Sequence, residues 1–485
     1  MLESATELAR RIRDRETTST EVVEAHLRRI KELNGSLNAV VLLLESQALA
    51  EASTLDSEAA AGHFRGPLHG VPMTVKEQFW LKGQPTTLNS KMFKNWVAPD
   101  DSLCVTRLRA AGAVIMGKTN VPANLVDYQV QGQLFPEGKN PYNLNCTPGG
   151  SSGGAAVALA TGMSALELGG DFGGSIRVPA NFTGVYGLKT TENTIPTHGM
   201  GPIPKGLRGY ISNMAVAGPM ARTAEDLETA WHVLRGSHQN ERTVARIEWH
   251  DAGRRSLADF RVAWVNQWPE YPTGRQVQSV IEDFVHALEE HGLRAVNAAP
   301  GSDLHRRSLA LYARLFPQVI TQGVPRPIRP LMRTQIRRTL MNEMAEFQDE
   351  YRQGFKTGFT NYAETMTVRS ALIGEWERYF EDHDLLICPM SYGPAFKRCK
   401  IGTPLPGDTD SMPYINYTWP FVACFNATGH PAINIPLGLG DDGLPVGVQV
   451  VGPYWSEPDL LGFAKLVAQF TPGFAPPPER NGRLL

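Results

Sequence analysis

The spacing of apolar positions changes character along the chain, and the changes mark out its elements. Over residues 4–33 the apolar side chains recur at helical spacing. Val22, Val23, Leu27, Ile30 and Leu33 fall near one face, behind a Thr18-x-x-Glu21 capping box. Two amphipathic helices are predicted there, and the Ala, Leu and Glu content of Leu42–Ala60 predicts another, so residues 1–62 read as N-terminal helices. From Gly66 the texture becomes short apolar runs between Gly/Pro turns. Val71–Val75 predicts a buried strand ending at Lys76, Val105–Ala111 a helix, and Ala113–Gly117 a strand. Residues 153–161 are small and apolar on every side, which predicts a buried helix. Ala165–Leu168 reads as a strand. Ser175 opens a short helix, with Pro179 early in it and Gly184 past its end. Asp226–Leu234 reads as a helix begun at Thr223. This alternation of strand and helix predicts an α/β fold.

From about 238 to 375 charged helical segments dominate, such as Arg333–Tyr351 and Thr367–His383, around a loop punctuated by Pro325, Pro327 and Pro330. The expectation is a helical elaboration over 240–375, a candidate substrate funnel or lid, within a single domain spanning 1–485. Buried-strand character returns at Leu385–Cys388. Residues 432–452 predict two strands joined near Asp441-Asp442-Gly443, with Val446, Val448 and Val450 alternating. Ser456 is the predicted cap of the last helix.

Composition narrows the class. A chain of 485 residues with net charge −2 gives no electrostatic reason to expect nucleic acid as a partner. The five cysteines are scattered with no CxxC spacing, which argues against a disulfide framework or a zinc site, so no metal or cofactor is expected. The start runs into Arg10, Arg11, Arg13, Asp14 and Arg15 with no apolar signal core. The two long charge-free stretches, Asn140–Leu166 and Ser411–Gly440, are broken by Gly and Pro, so neither reads as a membrane span. A cytoplasmic enzyme is the expectation.

Candidate chemistry sits in two glycine-rich loops and one lysine. Gly149-Gly150-Ser151-Ser152-Gly153-Gly154 runs straight into the apolar helix, which disfavours a flexible linker, and it lacks the Lys-Ser/Thr ending of a phosphate loop. The second loop, Gly169-Gly170-Asp171-Phe172-Gly173-Gly174-Ser175, ends at a predicted helix start. Backbone N–H groups of Phe172, Gly173, Gly174 and Ser175 could converge there as an oxyanion hole, or the segment is a structural turn with a capping serine. Lys76, at the end of a buried strand, either snorkels to water or is held desolvated as a base of lowered pKa.

Taken together these segments resemble the amidase signature family. The resemblance rests on Gly70-Val71-Pro72 to Lys76, on the Gly-Gly-Ser-Ser-Gly-Gly loop, on Asp171-Phe172-Gly173-Gly174-Ser175-Ile176-Arg177-Val178-Pro179-Ala180, and on the serine spacing (175 − 151 = 24). It extends through Gly117–Asn120, Asn140–Tyr142, Gly218–Thr223 and Gly443–Gln449, while 240–375 carries none of it. It implies a mixed, twisted central sheet sandwiched between helices. It also implies a triad with Ser175 as nucleophile, Ser151 as proton relay after a cis Gly150–Ser151 peptide, and Lys76 as base. Ser152 and Arg177 look like the family's supporting residues, and Asp171 would orient the loop by pairing with Arg177. Glu77 departs from the aspartate commoner after the lysine. His198 and His430 read as loop histidines, not as members of a Ser-His-Asp triad.

The reaction implied is hydrolysis of an amide, with esters and carbamates accessible by the same route. Aryl-acylamidase and urethanase activities occur among enzymes similar to this one. The expected partner is therefore a small-molecule amide, ester or carbamate, with no nucleic acid, and the chain is expected to be a monomer or homodimer. Pocket candidates are Tyr128, Gln129, Gln131, Leu134 and Phe135, with Tyr312, Phe316, Met332 and Met341 in a segment that could form part of a lid or funnel. The alternative is a glutaminase like the A subunit of a tRNA-dependent amidotransferase. That component has its own sequence block after the nucleophile loop, which His198–Pro204 matches poorly. A non-catalytic binding protein on the same fold is a third reading, against which the intact Lys76, Ser151 and Ser175 argue.

Overall fold

The computed structural model describes residues 2–202, 213–238, 256–301, 303–322, 345–356 and 358–480, with a few isolated positions between them. Its frame is an eleven-stranded mixed sheet. The strands are β1 (Val40–Leu43), β2 (Pro72–Lys76), β3 (Val114–Thr119), β4 (Leu166–Asp171), β5 (Tyr186–Lys189), β6 (Val216–Ala221), β7 (Arg261–Trp264), β8 (Arg294–Asn297) and β9 (Leu385–Cys388). After a separate hairpin of β10 (Leu405–Pro406) and β11 (Ser411–Met412) come β12 (Ala432–Leu439) and β13 (Pro445–Val451). The spatial order is β1-β3-β2-β4-β6-β5-β12-β13-β9-β7-β8.

Two parallel wings flank an antiparallel middle. β2 runs parallel to both β3 and β4, and β7 parallel to both β8 and β9. Parallel neighbours need crossovers, and helices Leu103–Ala110, Gly153–Ala160 and Arg275–Glu290 lie in three of those connections. The middle strands pair antiparallel from β4 through β6, β5, β12 and β13 to β9.

The strand period of two sorts side chains onto two cores. In β9, Leu385 and Ile387 enter the core under one face, while Leu386 and Cys388 enter the core on the other. Met73 and Val75 of β2 and Leu166 and Leu168 of β4 join the first of these. Thr74, Lys76, Glu167 and Asp171 therefore lie on the opposite face by alternation. That face is covered by helices Gly153–Ala160, Arg177–Phe182, Leu304–Ile320, Phe359–Asp382 and Trp419–Thr428.

Most predicted elements are present within a few residues of their expected bounds, and the mixed sheet between helical layers agrees with the fold that the resemblance implies. Thr18 and Glu21 form the capping box reciprocally. Three readings need correction, and a fourth lies largely outside the described residues. Leu42 and Leu43 belong to edge strand β1, and the helix begins at Glu45, because β1 completes its hydrogen bonds on β3. The 240–375 segment is not only helical, since β7 and β8 extend the sheet from within it. The Arg333–Tyr351 helix lies largely outside the described residues, as do Pro325 and Pro327. Its described end is a 3₁₀ turn, Ala345–Phe347, before helix Gln348–Gly354. Ser456 occupies the cap position, yet its hydroxyl donates to Pro453 O at 2.7 Å and caps no helical N–H.

The two-faced sheet predicts that stability and site geometry separate. Ile387→Ala, in the core away from Lys76, is expected to cost about 2–5 kcal/mol in urea unfolding while activity per folded molecule is kept.

Candidate active site

Lys76 ends β2 with its side chain 1% exposed. Its Nζ lies 2.8 Å from Ser151 Oγ and 2.8 Å from the carbonyl oxygen of Gly170. Burial, opposed by the charge of Asp171, lowers the amine to about 7. Gly170 O takes one N–H of the neutral amine, so its lone pair can face the Ser151 hydroxyl. The sequence allowed a snorkelling lysine or a buried base, and the fold takes the second, because Lys76 points into the sheet's covered face.

Ser151 follows a cis Gly150–Ser151 peptide. Gly150 is needed for packing, because a Cβ there would stand 2.3 Å from Asp127 O. The two glycine loops are tied together directly. Ser152 N donates to Ser175 O at 3.1 Å, and Ser152 Oγ lies 3.4 Å from Gly170 O. Ser175 is 8% exposed, with no hydrogen bond from its Oγ to Ser151 among the described residues. The expected chain of two hydroxyls and one amine is therefore made on its lysine side and open at the nucleophile. Such contacts often tighten only around substrate.

Behind the nucleophile, Asp171 and Arg177 form an ion pair with both side chains 0% exposed. The guanidinium donates to both carboxylate oxygens at 3.1 Å. Burial alone would raise the Asp171 pKa. The Arg177 charge and hydrogen bonds outweigh it and hold the carboxyl well below the usual carboxylate range. Arg177 also reaches Val422 O at 3.0 Å, Gln449 Oε1 at 2.6 Å and Asn426 Oδ1 at 2.5 Å.

The same carboxylate shapes the nucleophile loop. It accepts from Gly174 N at 2.8 Å and Ile176 N at 3.0 Å. The Gly174 N–H is thus occupied, which corrects its assignment to the oxyanion hole. Phe172, Gly173 and Ser175 remain as backbone donors with no acceptor among the described residues. Tyr128 donates its hydroxyl to Gly173 O at 2.7 Å. The peptide between Gly173 and Gly174 is thereby held at its oxygen by Tyr128 and at its nitrogen by Asp171. Gly174 has φ +97°, and a Cβ there would stand 2.5 Å from Val422.

Of the other pocket candidates, Gln129 exchanges bonds with the Cys399 backbone and Tyr414, and Gln131 bonds Glu137 and Cys399 O. Leu134 and Phe135 hang their N–H groups on Asn89 Oδ1. No hydrogen bond among the described residues places these four at Ser175; their segment is tied to Asn89 and Cys399 instead. Tyr312 and Phe316 belong to the segment expected as a lid or funnel. They lie on the buried helix Leu304–Ile320 and meet Phe172 at ring distances of 6.1 and 5.7 Å. Met332 and Met341 lie outside the described residues. Glu77 is buried, accepting from Thr87 N, from Thr87 Oγ1 at 2.8 Å and from Leu88 N at 2.8 Å, so the longer side chain still anchors a loop. His430 is held by Thr428 and Glu377, and burial lowers its pKa.

Sequence reasoning did not find Asn426, Trp419 or Gly170 O. A lone Asn in the apolar run Trp419–Ala427 was the available signal for the first. Nothing in a sequence marks a carbonyl oxygen.

A buried lysine, two serines on paired glycine loops and backbone N–H groups with no acceptor among the described residues are parts that an acyl-transfer site would use. The Amidase family matches residues 21–461, and the chain belongs to that family. It is 30% identical to the A subunit of the glutamyl-tRNA(Gln) amidotransferase of Alkaliphilus metalliredigens, over 92% of this chain and 91% of that protein. It is also similar to the solved 6-aminohexanoate cyclic dimer hydrolase complexed with substrate, at TM-score 0.81 and 26% identity, covering 99% of each chain. A bacterial aryl acylamidase of the amidase signature family shares the fold at TM-score 0.80 and 23% identity, covering 96% of each chain. No helix among the described residues is long and apolar enough to cross a membrane.

Arg177→Met leaves the Asp171 carboxylate buried without its partner, and is expected to cost about 3–5 kcal/mol in denaturant unfolding. Combining it with Asp171→Asn should recover part of the loss. Strict additivity in that double-mutant cycle would show that the two charges do not support each other.

Proposed function

We propose that the chain cleaves amide C–N bonds through an acyl-enzyme on Ser175. The single observation that carries this reading is the buried Lys76 amine, lowered to about 7, at 2.8 Å from Ser151 Oγ. Ser175 Oγ attacks the carbonyl carbon, and its proton passes to Ser151 as the Ser151 proton passes to Lys76. The N–H groups of Gly173 and Ser175, with Phe172, face the oxyanion. The C–N bond breaks as Ser151 protonates the amine and recovers a proton from Lys76. Water then adds to the ester by the same relay, releasing the acid and restoring Ser175. Esters and carbamates fit the route, since their leaving groups demand no more of the relay.

The curated relatives favour a second reading for the substrate and the acceptor. Their name is that of an amidotransferase component, so the amide would be that of glutamine and the ammonia would pass to a partner assembly. Both readings share the acyl-enzyme. They divide on whether the purified chain alone turns over simple amides. Glutaminase activity that arises only with partner subunits, with simple amides inert, would establish the second reading.

Ser175→Ala should abolish turnover and covalent labelling by a fluorophosphonate, and retained burst kinetics would remove Ser175 from the role. Lys76→Ala is expected to lower kcat/KM by about a hundredfold to ten-thousandfold. Only the neutral amine accepts a proton, so kcat/KM should climb with pH and level off above about 7. A histidine would titrate in the same range, so the inflection is assigned by mutation. It should persist in His198→Ala and His430→Ala and vanish with Lys76.

A further inference from the structure

One polar group beside the Ser175 loop has no part in the chemistry so far. Tyr312 is 5% exposed, and its hydroxyl makes no hydrogen bond among the described residues. It lies against the loop, since a Cβ on Gly173 would stand 2.6 Å from that oxygen. Tyr128 and Asp171 are among the charges that act on the phenol, and burial with these neighbours raises its pKa well above the ordinary value. It is therefore a neutral O–H donor. Among the described residues the Tyr312 oxygen is not one of the fully buried polar atoms left without a partner, so it stays open to a water or a ligand group that supplies its acceptor. Its neighbour Tyr128 shows the contrast, because its own hydroxyl is satisfied by Gly173 O.

The ring carrying that hydroxyl belongs to an aromatic wall. Tyr312 lies 5.9 Å from Phe316 one helical turn on, 6.1 Å from Phe172 and 5.7 Å from Trp419 in a T-shaped contact. Phe172 itself is the first residue of the oxyanion loop and is only partly buried. None of these four side chains carries a charge. Such a surface favours the face or edge of another ring, and it has nothing to pair with an ammonium or carboxylate taken out of water.

We infer that Tyr312 contacts substrate, with its hydroxyl donating to an acceptor beside the oxyanion position, and that the wall of Phe172, Tyr312, Phe316 and Trp419 takes an aromatic ring of the amide. The substrate class is then an aryl or aralkyl amide rather than the side-chain amide of a free amino acid. This rests on the acyl-enzyme reading of Ser175.

The test is kcat/KM of the full chain on acetanilide and phenylacetamide against N-butylacetamide, hexanamide and glutamine, with fluorophosphonate labelling of Ser175 run in parallel. The expected result is a preference of about tenfold or more for a ring-bearing amide. Tyr312→Phe should lower kcat/KM by roughly tenfold while Ser175 still labels, and Phe316→Leu should shrink the ring preference. Labelling and amide turnover without a ring preference, a preference for glutamine, or a Tyr312→Phe enzyme unchanged on all substrates would each overturn the inference and leave the acyl-enzyme standing. Absence of both labelling and turnover in the wild type would instead remove the acyl-enzyme and the subsite with it. The wild-type preference decides the matter even where a variant fails to fold.

Discussion

The buried pair of Asp171 and Arg177 is the constraint on which the site is hung. Two charges with no access to water must satisfy their hydrogen-bonding capacity inside the protein, and here each does so through parts distant in the chain. Asp171 fixes the nucleophile loop by taking the N–H groups of Gly174 and Ile176. Arg177 fixes the C-terminal half by taking Val422 O, Asn426 and Gln449. The pair thus ties the end of β4 to helix Trp419–Thr428 and to β13. A loop of glycines has little stiffness of its own, and this network supplies it.

Lys76 depends on the same arrangement at one remove. Its strand partner β4 presents Gly170 O to the amine, and the paired glycine loops close over it. Removal from water pulls the amine down to about 7, while Asp171 opposes the shift and stops it from going further. A carboxylate already neutralised by a guanidinium is a moderate neighbour. That balance keeps the lysine within reach of both protonation states near neutral pH, as the proposed relay would require.

The parts of this picture that sequence can carry are those with a local cause. The 3.6-residue pattern and the Thr18–Glu21 box mark the N-terminal helices, and apolar runs flanked by Gly or Pro mark β2, β9, β12 and β13. Edge strand β1 is harder, since Leu42 and Leu43 look like the start of the helix after them until β3 is there to pair with. β7 and β8 are hidden for the same reason inside a charged, helix-rich segment. The serines, the lysine and the Asp171–Arg177 pair stand out because their chemistry is packed into short motifs. The pocket does not. Residues 128–135 looked suitable by position, yet only Tyr128 reaches the loop, and the aromatic wall comes from helices that begin at 304 and 419.

By itself, then, the chain's order of residues determined the α/β alternation, the family and the three side chains proposed for the chemistry. Those follow from periodicity and from groups that do chemistry wherever they are placed. Only the tertiary structure decided that Lys76 is a buried amine and not a surface lysine, that the Gly174 N–H is taken by Asp171, and that the Tyr312 hydroxyl stands beside Gly173 with no hydrogen bond among the described residues. Each of these is a matter of burial or of hydrogen-bond competition between segments up to hundreds of residues apart. A pKa, a free donor and a pocket wall exist only once those segments meet.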